Sequence, residues 1–105
     1  MLLVFSTFPN EDKAREAVRR LVDERLVACG NIVPSVRSIY RWKDAVHEEA
    51  EVLVLLKVSR PAYPELQLRL RELHPYDLPE IVAVPVHAAL PEYLGWVAEN
   101  SHRTA

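Results

Sequence analysis

Asn31–Val58, NIVPSVRSIYRWKDAVHEEAEVLVLLKV, decides the fold. Asn31 to Trp42 reads as an outgoing arm, Lys43-Asp44-Ala45 as a turn, and Glu51 to Val58 as the return arm of a long β-hairpin. Asp44 suits the tip because Asp tolerates turn conformations. Side chains alternate between the faces of a strand. In the return arm Leu53 and Leu55 share one side, and Val54, Leu56 and Val58 share the other. A strand apolar on both faces must be covered on both. Pro34 in the outgoing arm cannot donate to a ladder, which predicts an edge strand or a bulge.

The rest of the chain supplies cover for one of these faces. Leu2 to Phe5 is a short apolar run and reads as a buried strand. Asn10 is placed to cap a helix, with Glu11 and Asp12 in its first turn. Ala14, Ala17, Val18, Leu21, Val22 and Leu26 follow at helical spacing as one apolar stripe. Gly30 is expected to close this helix in a left-handed conformation. After the hairpin, Ser59 is expected to cap a second helix, with Pro61 near its first position. Tyr63, Leu66, Leu70 and Leu73 form its stripe, His74 lies in its last turn, and Pro75 ends it. Pro79-Glu80 leads into a fourth strand, Ile81 to Val86, marked as an edge by Pro85. Pro91 starts a terminal helix with Leu90, Leu94 and Val97 on one side, and the tail from Ser101 is expected to fray.

The order β-α-β-β-α-β plus a terminal helix is an α+β, ferredoxin-like arrangement over a single domain, 1–105. Right-handed crossovers put both long helices on one face and make the first and third strands central. The other face is left apolar and bare. A bare apolar face and open sheet edges point to self-association, and a closed ring of three copies is the simplest geometry.

Composition and motifs narrow the function. The net charge is −2 with scattered Lys and Arg, unlike the basic stripe of a nucleic-acid binder. Cys29 is the sole cysteine, so no internal disulfide forms, which fits a cytoplasmic setting. The N-terminus shows no basic leader, and no apolar run approaches the ~18 residues of a membrane span. The third strand lacks the aromatic residues an RNA-recognition domain stacks on bases. The first loop, Ser6-Thr7-Phe8-Pro9-Asn10, lacks both the paired cysteines of a soft-metal carrier and the glycines of a phosphate cradle. Neither G-x-S-x-G nor H-E-x-x-H occurs, so the chain is expected not to be an enzyme.

Leu21–Trp42, read as LVDERLVACGNIVPSVRSIYRW, closely resembles the CutA divalent-cation tolerance family. So do Leu73-His74-Pro75-Tyr76 with Pro79-Glu80-Ile81-Val82, and Tyr93-Leu94-Gly95-Trp96. The resemblance covers nearly the whole chain. It implies a PII-like homotrimer and a role in tolerance of copper and other divalent cations, with a divalent metal as its ligand. The sequence departs from the family's pattern in places. Gly30 stands where Val or a similar residue is common, and Asp44 replaces a hairpin Gly. Some relatives carry a Cys at the end of the first strand and a His just before His-Pro-Tyr; here Ser6 and Leu73 stand there, leaving His74 as the clear match to a proposed ligand.

Two sets of candidate residues follow. For a metal they are His74, Cys29 and Glu80. Cys29 reads as a soft-metal ligand or as a small buried hydrophobe. His74 reads as a ligand through a ring nitrogen or as a group at the negative end of its helix. Glu80 either joins a polar cluster with Lys57 or His74 or pairs with an Arg on a rim. For a ligand or inter-subunit cleft they are Tyr40, Trp42, Lys57 and Tyr76. Tyr40 and Trp42 lie on one side of their strand, and a subunit interface is the favoured reading for them. Two functions follow: weak divalent-cation binding at clefts between subunits, or a PII-like module binding a small anionic effector or a partner protein there.

Overall fold

The computed structural model describes residues 1–102. In chain order it forms β1 (Leu2–Phe8), α1 (Glu11–Asp23), β2 (Cys29–Trp42), β3 (Ala45–Val58), a 3-10 turn (Arg60–Ala62), α2 (Tyr63–Leu73), β4 (Val82–Pro85) and α3 (Pro91–Asn100). The antiparallel sheet has the order β2-β3-β1-β4, so the two most apolar strands are central and the proline-bearing strands are edges. This is the expected ferredoxin-like arrangement.

One face of the sheet carries the core. Val4, Ser6 and Phe8 of β1 and Val52, Val54, Leu56 and Val58 of β3 are buried on it. Ala14, Ala17, Val18 and Leu21 of α1 and Leu66 and Leu70 of α2 cover it. Arg69 of α2 makes a bidentate pair with Glu24, through Nε at 2.9 Å and Nη2 at 2.8 Å, which locks α2 against the end of α1. On the opposite face Leu3, Phe5, Leu53 and Leu55 are half-buried. There α3 gives partial cover: Tyr93 reaches Cys29, whose strand partner is Lys57.

The start of α1 is as expected: Asn10 is extended, and its Oδ1 accepts the Lys13 N–H at 2.8 Å. Its end is not. The helix stops at Asp23, and Arg25, not Gly30, takes the left-handed conformation, with φ 61°. Leu26 N–H donates to the Leu21 carbonyl at 3.0 Å and Arg25 N–H to Val22 at 3.0 Å, the bond pair of a Schellman cap. Burial of both Leu21 and Leu26 closes that cap, so a pair of apolar contacts outweighs the strain at Arg25. Gly30 instead lies within β2, opposite Leu56, where α1 crosses close above it.

The hairpin turns through Lys43 and Asp44, with φ 51° and 64°, between the paired residues Trp42 and Ala45. Left-handed residues at both central positions give a turn whose twist matches the strands. β2 is both an edge and bulged: the register shifts between Val33 and Val36, and Ser35 has φ 64°.

Four further expectations change. Ser59 makes no side-chain cap; its N–H donates to Ser101 Oγ and its Oγ to the Ser101 carbonyl, each at 2.8 Å. That clasp buries Ser101 completely, so the chain is anchored there and not frayed; residues 103–105 lie outside the described range. His74 is not in the last turn of α2 but extends past its end, as the residue before a proline prefers. Leu90 is exposed, and Val97 is the buried anchor of α3.

Candidate functional site

β1 ends opposite Val52, so the hairpin continues beyond it as a two-stranded arm. The bulge decides what this arm presents. Before it, Cys29, Asn31 and Val33 share a face with Lys57, Leu55 and Leu53; after it, Val36, Ser38, Tyr40 and Trp42 take over that face. Ser38 pairs with Glu49, Tyr40 with His47, and Val36 with Glu51. Tyr40 stacks on His47 at 5.5 Å. Across from this surface runs the segment after α2. Between them lies an open cleft of about 720 Å³, with Tyr40, Trp42, Glu49 and Glu51 on the arm and Tyr76, Asp77 and Glu80 on the segment.

His74 holds the segment in place. β4 pairs with β1 no further than Phe5, and beyond that the Thr7 carbonyl is taken by His74 Nε2 at 2.9 Å. Nδ1 accepts the Tyr76 N–H at 3.1 Å, so Nε2 carries the proton and donates. The ring stacks on Phe8 at 4.2 Å and is only 7% exposed. Burial pushes its pKa down, against the Thr7 bond and the Glu51 charge, which favour the proton. Tyr76, oriented by this contact, donates its hydroxyl to Glu51 Oε2 at 2.6 Å. Burial, that bond and the nearby Glu51 and Glu49 charges raise the Tyr76 pKa, keeping the phenol a neutral donor. Partial burial together with Glu49 and Glu51 raises Tyr40 likewise. The cleft therefore has aromatic walls and four carboxylates, with no Lys or Arg among the described residues of its lining.

The sequence candidates divide between two places. Tyr40, Trp42, Tyr76 and Glu80 come together in the cleft, with His74 directly behind Tyr76. Cys29 and Lys57 form a second group. Lys57 Nζ donates to Asn31 Oδ1, and Cys29 Sγ lies 3.5 Å from Tyr93 Oη. That contact, burial and the thiol's charge raise the Tyr93 pKa. Thr7 faces Leu53 and Cys29 faces Lys57, so about 13 Å of strand separates the two places. His74, Cys29 and Glu80 thus do not converge. Among the described residues no three His, Cys, Asp or Glu side chains gather to hold a metal ion. A first coordination sphere is not built within these residues, because the imidazole spends both nitrogens on backbone groups and the thiol is elsewhere.

Glu49, Glu51 and Asp77 were not among the sequence candidates. Counting back from the Lys43-Asp44 turn would have found Glu49, since a two-residue turn sets Trp42 opposite Ala45 and hence Ser38 opposite Glu49. The same count sets Val36 opposite Glu51, while Asp77 needed the path of the loop.

Residues 2–100 match the family model described as CutA1 divalent ion tolerance protein. The divalent-cation tolerance protein CutA of Thermus thermophilus is 48% identical over 99 residues, covering 94% of this chain and 96% of that protein. The solved structure of the divalent cation tolerance protein from Thermus thermophilus superposes with a TM-score of 0.93 over 97% of this chain and 100% of the other. Protein CutA of Mus musculus is 43% identical over 93 residues, which are 89% of this chain but 52% of the mouse protein, so the chain spans about half of that relative. The PII-like protein CutA from Nostoc sp. PCC 7120 gives a TM-score of 0.92 at 40% identity, over 99% of this chain and 100% of that one.

Proposed function

Because the chain belongs to the CutA1 divalent ion tolerance family, we propose that it is a non-enzymatic, cytoplasmic, homotrimeric protein that binds divalent cations weakly at clefts between its subunits. The observation that carries this reading is the cleft itself. Glu49, Glu51, Asp77 and Glu80 line it, with no Lys or Arg among the described lining residues. Spread carboxylates attract a divalent ion, whereas a tight site needs converging ligands. Support for the trimer comes from the half-buried Leu3, Phe5, Leu53 and Leu55 face and from the arm, where Ile39 is 65% and Val46 62% exposed. Apolar surface of this kind is covered by other copies in an assembly.

Copper is the ion to test, with Glu80 and the arm's carboxylates as oxygen ligands. His74 joins them only by giving up Thr7 or Tyr76, and Cys29 only at its own end of the sheet. Isothermal titration with Cu²⁺ on the wild type, His74→Ala and Glu80→Gln is the experiment. The expected result is weak binding that Glu80→Gln reduces. Heats identical in wild type and His74→Ala remove His74 from the ligand set, and identical heats in all three overturn the cleft as the metal site.

The reading as a PII-like module for an anionic effector is less well supported. Lys57, its proposed cation, bonds Asn31 outside the cleft.

A further inference from the structure

We propose that the carboxylate cleft of each copy is completed by the next copy in the ring, through the partner subunit's Lys57 docked beside Glu49. The inference rests on the reading of a homotrimer with clefts between its subunits, and it names the residue that the second copy brings to the cleft.

The sheet face that carries the cleft is electrically polarised. Along β3 it presents Lys57, Leu55, Leu53, Glu51 and Glu49 in turn: a basic end, an apolar middle and an acidic end. Among the described strand positions Lys57 is the one Lys or Arg on this face. Arg37 and Arg41 stand opposite Ala50 and Val46, on the reverse face of the arm. Lys43, in the turn, stands over the Trp42 ring and does not line the cleft. Lys57 and Glu51 are six positions apart, about 20 Å of strand at ~3.3 Å each, beyond the reach of a Lys side chain. One chain therefore cannot neutralise its own two ends.

A closed ring of copies can do so. Its interfaces are heterologous, so one part of a surface meets a different part of the next copy. The half-buried Leu53 and Leu55 need that cover. Setting the basic end of one face over the acidic end of the next buries them and pairs the charges, whereas acidic end on acidic end sets carboxylates against carboxylates. Both groups are available. Lys57 gives one of its three N–H donors to the neutral Asn31 and keeps two. Glu51 is engaged by Tyr76, but Glu49, Asp77 and Glu80 are exposed around a cleft of about 720 Å³. One ammonium against the carboxylates of Glu49, Glu51, Asp77 and Glu80 leaves the cleft net negative, as the metal reading requires.

The test is a charge swap across the interface, made in the full chain and read as the urea concentration at which light scattering loses the oligomer's mass, with EDTA present. Lys57→Glu and Glu49→Lys are each expected to lower that midpoint by about 1 M, and the double variant Lys57→Glu/Glu49→Lys to recover about half of the loss or more. Lys57→Gln, which removes the charge without reversing it, is expected to lower the midpoint by less than Lys57→Glu. A midpoint unaltered in both Lys57 variants, or no recovery in the double variant, overturns the inference and leaves the trimer reading in place. A wild type that is monomeric at micromolar protein overturns both.

Discussion

Acid should destabilise this fold through His74 before the carboxylates titrate. The ring is neutral, buried and bonded through both nitrogens, with Nδ1 accepting the Tyr76 N–H. A proton added at Nδ1 would face that N–H donor to donor, inside a site that already disfavours charge. The folded pKa is therefore lowered, chiefly by burial. The unfolded chain, with an ordinary histidine near pH 6.5, binds the proton first. Stability contributed by neutral His74 is thus fully present above about pH 6.5 and is lost as pH falls toward the lowered folded value. The slope is at most about 1.4 kcal/mol per pH unit, the linkage value for one group taking up one proton. Urea unfolding at fixed protein concentration, from pH 7 to pH 5, measures it. His74→Asn is the reference, because Asn offers an oxygen to the N–H two residues on but does not titrate. The wild type should lose stability more steeply than the variant across this window, although the variant starts lower for want of the Thr7 bond. Parallel slopes would refute the reasoning.

Four other outcomes follow from particular contacts. Gly30→Ala puts a Cβ 2.6 Å from Val18 Cγ1 and 2.9 Å from Leu56 Cδ2. Overpacking of about 1–3 kcal/mol, partly offset by lower backbone entropy of ~0.5–1 kcal/mol, should leave a net loss near ~1 kcal/mol in urea unfolding, and adding Val18→Ala should recover part of it. Ser6→Ala should stabilise by about 1 kcal/mol, because Ser6 Oγ is the buried side-chain atom without a partner among the described residues. A less stable Ser6→Ala would show that the hydroxyl is satisfied. Tyr76→Phe should cost about 1–3 kcal/mol at neutral pH, since Glu51 is 7% exposed and loses its donor; an unchanged unfolding midpoint would count against that bond. Trp42→Ala should lower the mass seen by light scattering at micromolar protein, and an unaltered mass would detach the arm from the proposed interface.

Much of the fold was legible because its signals are repeated. The apolar runs of β1 and β3, the helical stripe of α1 and the prolines of β2 and β4 all specify one topology, and each error would have to be made several times to change it. The turn at Lys43-Asp44 was legible for the same reason, lying between two long arms that must meet. Single-residue assignments fared worse. Gly30 has the composition of a helix end, yet its smallness serves the passage of α1 over β2, and Arg25 bears the positive φ because the Leu21–Leu26 contact closes the cap. Ser59 has the composition of a helix cap, yet its partner is Ser101, 42 residues away. Of the site, the aromatic wall and Glu80 were legible as motif residues, while Lys57 and Cys29 turned out to lie at the far end of the sheet.

By itself the sequence determined the elements, their order, which strands are central and that both faces of β3 must be covered. Those properties rest on sterics and hydration acting over a few neighbouring residues, so a periodic pattern suffices to state them. Only the tertiary structure decided that Thr7 and His74 meet across 67 positions, that Tyr76 and Glu51 meet across 25, and that a carboxylate cleft opens where they do. Such meetings depend on register, on one bulge in β2 and on the course of a loop. A shift of one residue in any of these turns a side chain to the opposite face, and a local signal such as Pro34 marks an edge or a bulge without saying where the register slips.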